Sequence, residues 1–445
     1  MNIDNLIKNI QESYYIEKSL YDEYNVKRGL RNNDGSGVLV GLTRIGNVHG
    51  YIKDEHEIVP VEGKLRYRGI EIEDIVSHLE NENRYGFEEV IFLLLFGKLP
   101  SQVELMEFNA LLDSKRSLPD GFTENMILKS PSKDIMNNLA RGVLALYSYD
   151  KDPDDISVEN VLRQSIELIA RFPTLIAYGF QAKSRYYENG SLFLHYPKSG
   201  IGTAKCFLQL IRADQKFTEL EAKTLDICLI LHAEHGGGNN SSFAIHVITS
   251  TDTDSYSAIS SGVGSLKGPK HGGANNKVID MMKDIKANVN DWGNEKEISD
   301  YLVKILKKEA YDKTGLIYGL GHAVYTISDP RTIILKRYAK ELAKEKDREK
   351  EFALYDAVER LSPGLFQEIK KSDKKICVNV DFYSGLVYSM LNLAPELYTP
   401  IFAMSRISGW CAHRLEEIIS GGRIIRPAYK SVEPKNEYVP LDKRF

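Results

Sequence analysis

The chain has 445 residues, 42% of them hydrophobic, 27% charged and 10% aromatic, which supplies apolar material for a large core or two and excludes disorder, collagen and small disulfide scaffolds. Lys and Arg number 58 against 62 Asp and Glu, a net charge of −4, so no global field gathers nucleic acid or anionic lipid. An anionic ligand must be met by a local cluster of cations. At roughly 150 residues per domain, the length predicts two or three domains, or an intimate pair sharing one interface. The four cysteines, Cys206, Cys228, Cys377 and Cys411, stand far apart without CxxC spacing and read as buried thiols of a reducing compartment. The opening MNIDNLIKNI lacks a signal peptide's pattern, and the longest apolar run, Val90 to Phe96, is too short to cross a bilayer, so a cytoplasmic protein is expected.

In chain order, the first signals are for strands: Val38 to Val40, then the alternation Leu65, Arg66, Tyr67, Arg68 after Gly63 predict short hairpin pieces, too few for a central sheet. Helical periodicity dominates from there on. Ser101 with Glu104 predicts a capping box, and Leu105, Phe108, Leu111 and Leu112 share a face before Pro119. Thr218 with Glu221 repeats the signal, with Leu220, Thr224, Ile227, Cys228 and Leu231 as an inward stripe up to His232. Asp329 and Pro330 predict an N-cap and first-turn pair for a helix with Ile334, Tyr338 and Leu342 aligned. Eight consecutive charges, Lys344 to Glu351, carry four of each sign and read as a solvated helix end. The fold class is therefore mainly α. Two glycine-rich interruptions, GPKHGGAN at Gly268 to Asn275 and NVDFYSG at Asn379 to Gly385, bracket a charged helical insert. A chain that leaves one domain, builds a second and returns makes a hinged cleft, which predicts a large helical domain at 1–275 and 379–445 and a smaller one at 276–378.

Four of the ten histidines lie in or beside glycine-rich segments: His232 and His235 in LHAEHGGGNNSS, His271 in GPKHGGAN and His322 in YGLGHAVY. Glycine lets backbone approach a ligand and frees N–H groups to bond it. Any one such histidine reads equally well as filling a helix end; three glycine-flanked instances with the NVDFYSG carboxylate point to a shared function. His232 and His235 are three apart and followed by three glycines, whereas a zincin helix needs histidines four apart. A zinc hydrolase is thus a remote alternative, no metal is expected, and His232 reads as structural. GVGSLKG at Gly262 to Gly268 only mimics a dinucleotide fingerprint, because its last glycine is one residue late and no strand precedes it. Arg331, Arg406 and Arg426 supply guanidinium groups, which grip carboxylates in bidentate fashion, and several converging on one pocket suit a di- or tricarboxylate. Taken singly, Arg426 reads as a surface salt-bridging residue.

HAEHGGGNNSS, SLKGPKHGGAN, GLGHAVYTISDPR, NVDFYSG and SRISGWCAHRLEE followed by RIIRP together resemble the Si-type citrate synthases and the similar 2-methylcitrate synthases, in the family's order and from about Gly41 to Pro427. The resemblance implies a two-domain helical fold and a homodimer. It implies an acyltransferase that condenses acetyl-CoA, or propionyl-CoA in the nearest variant, with oxaloacetate and releases coenzyme A without a resident cofactor. By the same resemblance His271 bonds the thioester oxygen, Asp381 removes the methyl proton and His322 polarises the ketone. His235, Arg331 and Arg406 hold oxaloacetate, and Arg426 reaches the neighbouring subunit's site. Leu316 to Gly321 aligns with the loop that receives the adenine end of coenzyme A, which nominates Leu316, Ile317, Gly319 and Gly321. Thr326 stands where many relatives carry a phosphate-binding Arg or Lys, so phosphate contacts fall to Lys370, Lys371, Lys374 and Lys375, with Lys374 and Lys375 nominated; as solvent-facing lysines they read equally well.

Overall fold

The structure is a computed structural model that describes residues 3–54 and 57–444. Helices dominate it, as the periodicity predicts. Near the N-terminus three antiparallel strands, β1 (Gly46–Asp54), β2 (Glu57–Tyr67) and β3 (Ile70–Glu71), lie in the order β1-β2-β3. The alternation in β2 is real: Leu65 and Tyr67 are fully buried, while Arg66 between them faces Glu71 at 2.9 Å. Arg68 has left the strand, at φ 49, and its guanidinium bonds the Leu94 carbonyl at 2.7 Å. Val38 to Val40 is a correction. The segment follows an isolated bridge between Arg31 and Gly37 and leaves Leu39 84% exposed, because no strand edge is there to pair with it. β1 carries no clean alternation in sequence, yet β2 supplies its partner.

Two glycines of this hairpin set where it packs. A Cβ on Gly50 would stand 2.7 Å from the Val324 carbonyl oxygen, and one on Gly63 2.1 Å from that of Ser328. The bare backbone there lets the hairpin lie flat on the 324–328 segment, next to His322.

Both capping boxes form, opening the helices Gln102–Lys115 and Glu219–His232. In the first, Phe108 and Leu112 are buried but Leu111 is 40% exposed, so the stripe is narrower than expected. In the second the stripe is replaced by burial on every side from Thr224 to His232. Its inward carboxylate is what disguised this: Asp226 accepts the Gly86 N–H at 2.8 Å and the Phe87 N–H at 3.3 Å, capping the helix Phe87–Phe96. Asp329 caps Pro330–Glu345, with Pro330 in its first turn. The charged run Lys344 to Glu351 is a junction between that helix and Glu349–Lys370; it reaches inward through Lys346, 2.7 Å from the buried Glu221.

The centre is the helix Tyr398–Ile419, buried without interruption from Tyr398 to Leu415. It packs against Phe87–Phe96, the long Val158–Tyr187, Glu219–His232, Asn240–Thr249 and Ser255–Lys267. Polar side chains carried into this interior must find partners or a ligand. The helix Val380–Met390 lies against Ala274–Asn288 and Pro330–Glu345, and the latter also touches Glu219–His232. One helix thus ties the Asp381 segment to the His235 segment. Among the described residues no helix is long and apolar enough to cross a membrane.

Candidate active site

Arg406 sits at 0% exposure on the central helix. Its Nε donates to the His232 carbonyl at 2.6 Å and its guanidinium carbon lies 4.7 Å from the Phe402 ring centre, yet both Nη atoms are buried with no hydrogen-bond partner. Burial draws its pKa down to about 10, with the Glu234 charge opposing, so it remains a cation at neutral pH. Arg331 is anchored instead by a two-point contact with Asp329, Nε to Oδ1 at 3.0 Å and Nη2 to Oδ2 at 2.7 Å. Burial opposes that charge, but the Asp329 carboxylate holds its pKa above the ordinary arginine value. Asp329 also accepts the Val380 N–H at 3.2 Å, so one carboxylate aligns an arginine with the start of the next helix.

That start carries Asp381. Asn379 caps the turn, accepting the Asp381 N–H at 3.0 Å, and burial lifts the Asp381 carboxyl to about 6 against the pull of Arg331 and Arg406, with Asp329 adding to the rise. His322 Nδ1 accepts the N–H groups of Val324 at 3.0 Å and Tyr325 at 3.1 Å, which assigns the proton to Nε2 and makes that nitrogen a donor. Burial keeps the ring neutral, at about 4, and it stacks on Tyr325 at 4.6 Å. His235 lies 5.1 Å from His322, centre to centre. Its Nε2 is buried without a partner, and burial together with Arg331 holds its pKa well below the ordinary value.

His271 Nε2 is 3.1 Å from Ser241 Oγ, which also accepts the Trp410 indole N–H at 3.1 Å. Burial and then Arg406 depress its pKa to about 4. Phe402 is the hub here, with His232 at 4.8 Å and His271 at 6.3 Å. Beneath the His235 turn, Glu234 Oε1 accepts the Gly236 N–H and meets His413 Nε2 at 3.0 Å. Burial works against the imidazolium, but Glu234 carries His413 up to about 9. The arrangement is three neutral imidazoles, one carboxyl tuned near neutrality and two buried guanidiniums, a set able to hold a polyanion and move one proton.

His235, His322, Arg331, Arg406 and Asp381 thus gather around one site, and His271 joins them through Phe402 and Arg406. His232 binds nothing there with its ring, which meets the Cys228 carbonyl at 2.8 Å; its carbonyl aims Arg406. The His232 and His235 rings face different neighbours, so they make no chelating pair. Arg426 is exposed in the C-terminal segment, outside the cluster of its own chain. Gly319 to Gly321 is stitched to the segment before Asp381: Gly321 N–H to the Cys377 carbonyl at 2.7 Å, and Asn379 N–H to the Gly319 carbonyl at 2.8 Å. Ile317 is buried at 5% exposure and Leu316 exposed at 54%. Lys374 and Lys375 lie exposed beside this stitch, whereas Lys370 is engaged with the Leu306 carbonyl at 2.9 Å. Thr326 Oγ1 is buried with no partner.

Sequence alone does not single out Tyr325, Ser241, Trp410, Phe402 or the Glu234–His413 pair, and it marks Asp329 only as a cap. Ser241 and Glu234 stood inside a quoted motif, HAEHGGGNNSS; nothing local distinguished the aromatic residues from core.

The family model described as citrate synthase, C-terminal domain, matches residues 35–428. The citrate synthase of Synechocystis sp. is 32% identical over 92% of this chain and 93% of its own. The 2-methylcitrate synthase 1 of Corynebacterium glutamicum is 31% identical over 87% and 94%. Among solved structures, citrate synthase from Pyrobaculum aerophilum superposes with a TM-score of 0.74 at 30% identity, over 92% of this chain and 94% of that one. The Thermoplasma acidophilum citrate synthase, in ternary complex with carboxymethyl coenzyme A and oxaloacetate, gives 0.74 at 26% identity, over 94% and 99%. On the fold, the clustered site and these likenesses together, the chain belongs to the citrate synthase family.

Proposed function

We propose that this enzyme condenses acetyl-CoA with oxaloacetate and water to give citrate and coenzyme A, with no step that uses a metal. The observation that carries the reading is Arg406: a fully buried cation with two unmade hydrogen bonds, close in charge to Arg331 and Asp381 and completed by the orphaned Nε2 of His235. Such donors await a small dianion. The relative crystallised with oxaloacetate and a coenzyme A analogue supports both substrates.

In the proposed course, Asp381 accepts a proton from the thioester methyl group, and a base near pKa 6 suits that task better than an ordinary aspartate. With Ser241 donating to His271 Nε2, the other ring nitrogen carries the proton that stabilises the enolate oxygen. The enolate carbon attacks the ketone carbon while His322 Nε2–H donates to the ketone oxygen. Water then cleaves the thioester C–S bond, and the thiol leaves with a proton. Leu316, Ile317, Gly319 and Gly321 are assigned to the adenine end, Ile317 by its backbone, and Lys374 and Lys375 to phosphate. Residues 276–378 form the smaller domain on the coenzyme side, closing on 1–275 and 379–445. We further propose a homodimer in which Arg426, exposed in its own chain, completes the neighbouring site. A cytoplasmic setting fits four free thiols.

Oxaloacetate-dependent release of thiol from acetyl-CoA is the test. Thiol release that is absent, or indifferent to the ketoacid, overturns the proposal. Propionyl-CoA belongs in the same assay, because relatives of similar identity carry the 2-methylcitrate synthase name and one methylene is worth only about 1–3 kcal/mol.

A further inference from the structure

Behind the His235 turn lies a histidine cluster that no proposed catalytic step uses. His246, on the helix Asn240–Thr249, and His413, on the central helix, meet with His246 Nε2 3.2 Å from His413 Nδ1. Glu416 Oε2 stands 3.8 Å from the same His413 nitrogen, and the three ligating atoms all lie within 4.8 Å of one another. Atoms bound to one tetrahedral zinc at about 2.0–2.2 Å stand about 3.3–3.6 Å apart, so these separations are within a few tenths of an Å of what an ion requires along two edges. Each imidazole is also held from behind by a carboxylate: Glu417 Oε2 is 2.7 Å from His246 Nδ1 and Glu234 Oε1 is 3.0 Å from His413 Nε2. Carboxylate-backed histidines with their free nitrogens turned toward a common point are how proteins orient metal ligands. Gly237 makes room: a Cβ there would stand 3.3 Å from His246 Nε2 and 3.5 Å from His413 Cε1.

We propose that His246, His413 and Glu416 form a binding site for a divalent transition-metal ion of the zinc class, separate from the ketoacid pocket. The histidine donors and the carboxylate match zinc, and they do not match the all-oxygen preference of magnesium or calcium. The ion would replace the proton shared between the imidazoles and clamp two core helices under the Gly236–Gly238 turn.

The test is equilibrium dialysis of the whole protein against zinc chloride, with metal counted by mass spectrometry, for the wild type and for His246→Gln, Glu416→Gln and Glu417→Gln, each checked for a native circular-dichroism melt. One zinc per chain is expected, unaffected by saturating oxaloacetate or by excess magnesium. Affinity should fall at least tenfold in the two ligand variants and about 10–100-fold in Glu417→Gln, where only the backing carboxylate is lost. No stoichiometric zinc at micromolar concentration overturns the proposal. So does zinc that persists in well-folded His246→Gln, or zinc displaced by oxaloacetate, which would place the ion among His235, His322 and Asp381. None of these outcomes bears on thiol release.

Discussion

Arg406 shows at single-residue scale how the interior is shaped for a ligand. A buried donor left unpaired costs about 1–3 kcal/mol, more if charged, and Arg406 holds two such nitrogens without a protein partner. In the proposed function, the ketoacid carboxylates recover that cost on binding. Replacing Arg406 with Lys keeps the charge and loses the fork; we expect KM for oxaloacetate to rise about 10–100-fold, from charge-assisted bonds worth about 1.5–3 kcal/mol, with the thioester KM changed less in steady-state assays. Asp381→Asn is expected to leave oxaloacetate binding nearly intact by calorimetry and to abolish exchange of the thioester methyl protons in deuterated water; exchange at the wild-type rate would reject Asp381 as the base. The base must be ionised, and its folded pKa is raised to about 6, so kcat/KM should fall as pH drops through about 6 rather than about 4. His413 makes the opposite kind of statement. Its pKa is raised from 6.5 to about 9 in the fold, so its pairing with Glu234 stabilises fully below pH 6.5 and is lost as pH rises through about 9. Tm should decline over that window in the wild type, and His413→Gln should flatten the decline.

At the scale of elements, the proposed reaction depends on where helices begin. Asp381 lies in the first turn of its helix and Arg331 in the first turn of another, and Asp329 joins the two starts through its single carboxylate. The loop before them is held by Gly319, at φ +79, where a Cβ would stand 2.9 Å from Val278 Cγ2 and 3.0 Å from Phe382 Cβ. Gly319→Ala combines backbone strain with overpacking, and a loss of about 1–3 kcal/mol in urea unfolding is expected. Because Gly319 pairs with Asn379, kcat should fall with stability; unchanged kcat would detach this loop from the placement of Asp381. Caps were the legible part of this scale: Ser101, Thr218 and Asp329 each do what their local sequence predicts. Val38 to Val40 misled because pairing is decided by a partner strand, and Glu219–His232 because a partnered aspartate looks like a solvent face.

Across the whole molecule, Arg426 stands apart from the cluster, exposed in the C-terminal segment. Mixing Arg426→Ala and Asp381→Asn chains into hybrids tests the proposed homodimer and its shared site. Each parental variant is impaired, and the hybrid should recover the activity of one intact site, about half that of the wild-type dimer, since one of its two sites has both residues. Hybrids no better than the parents would reject contribution in trans. Composition and cap chemistry determined from sequence alone that the chain is mainly helical, and motif order nominated His235, His271, His322, Arg331, Arg406 and Asp381 as one set, because those signals are local or depend on residue identity. Tertiary structure alone decided the direction of the pKa shifts and the unpaired guanidinium nitrogens, since both are set by neighbours distant in sequence, as His413 is by Glu234, 179 residues before it.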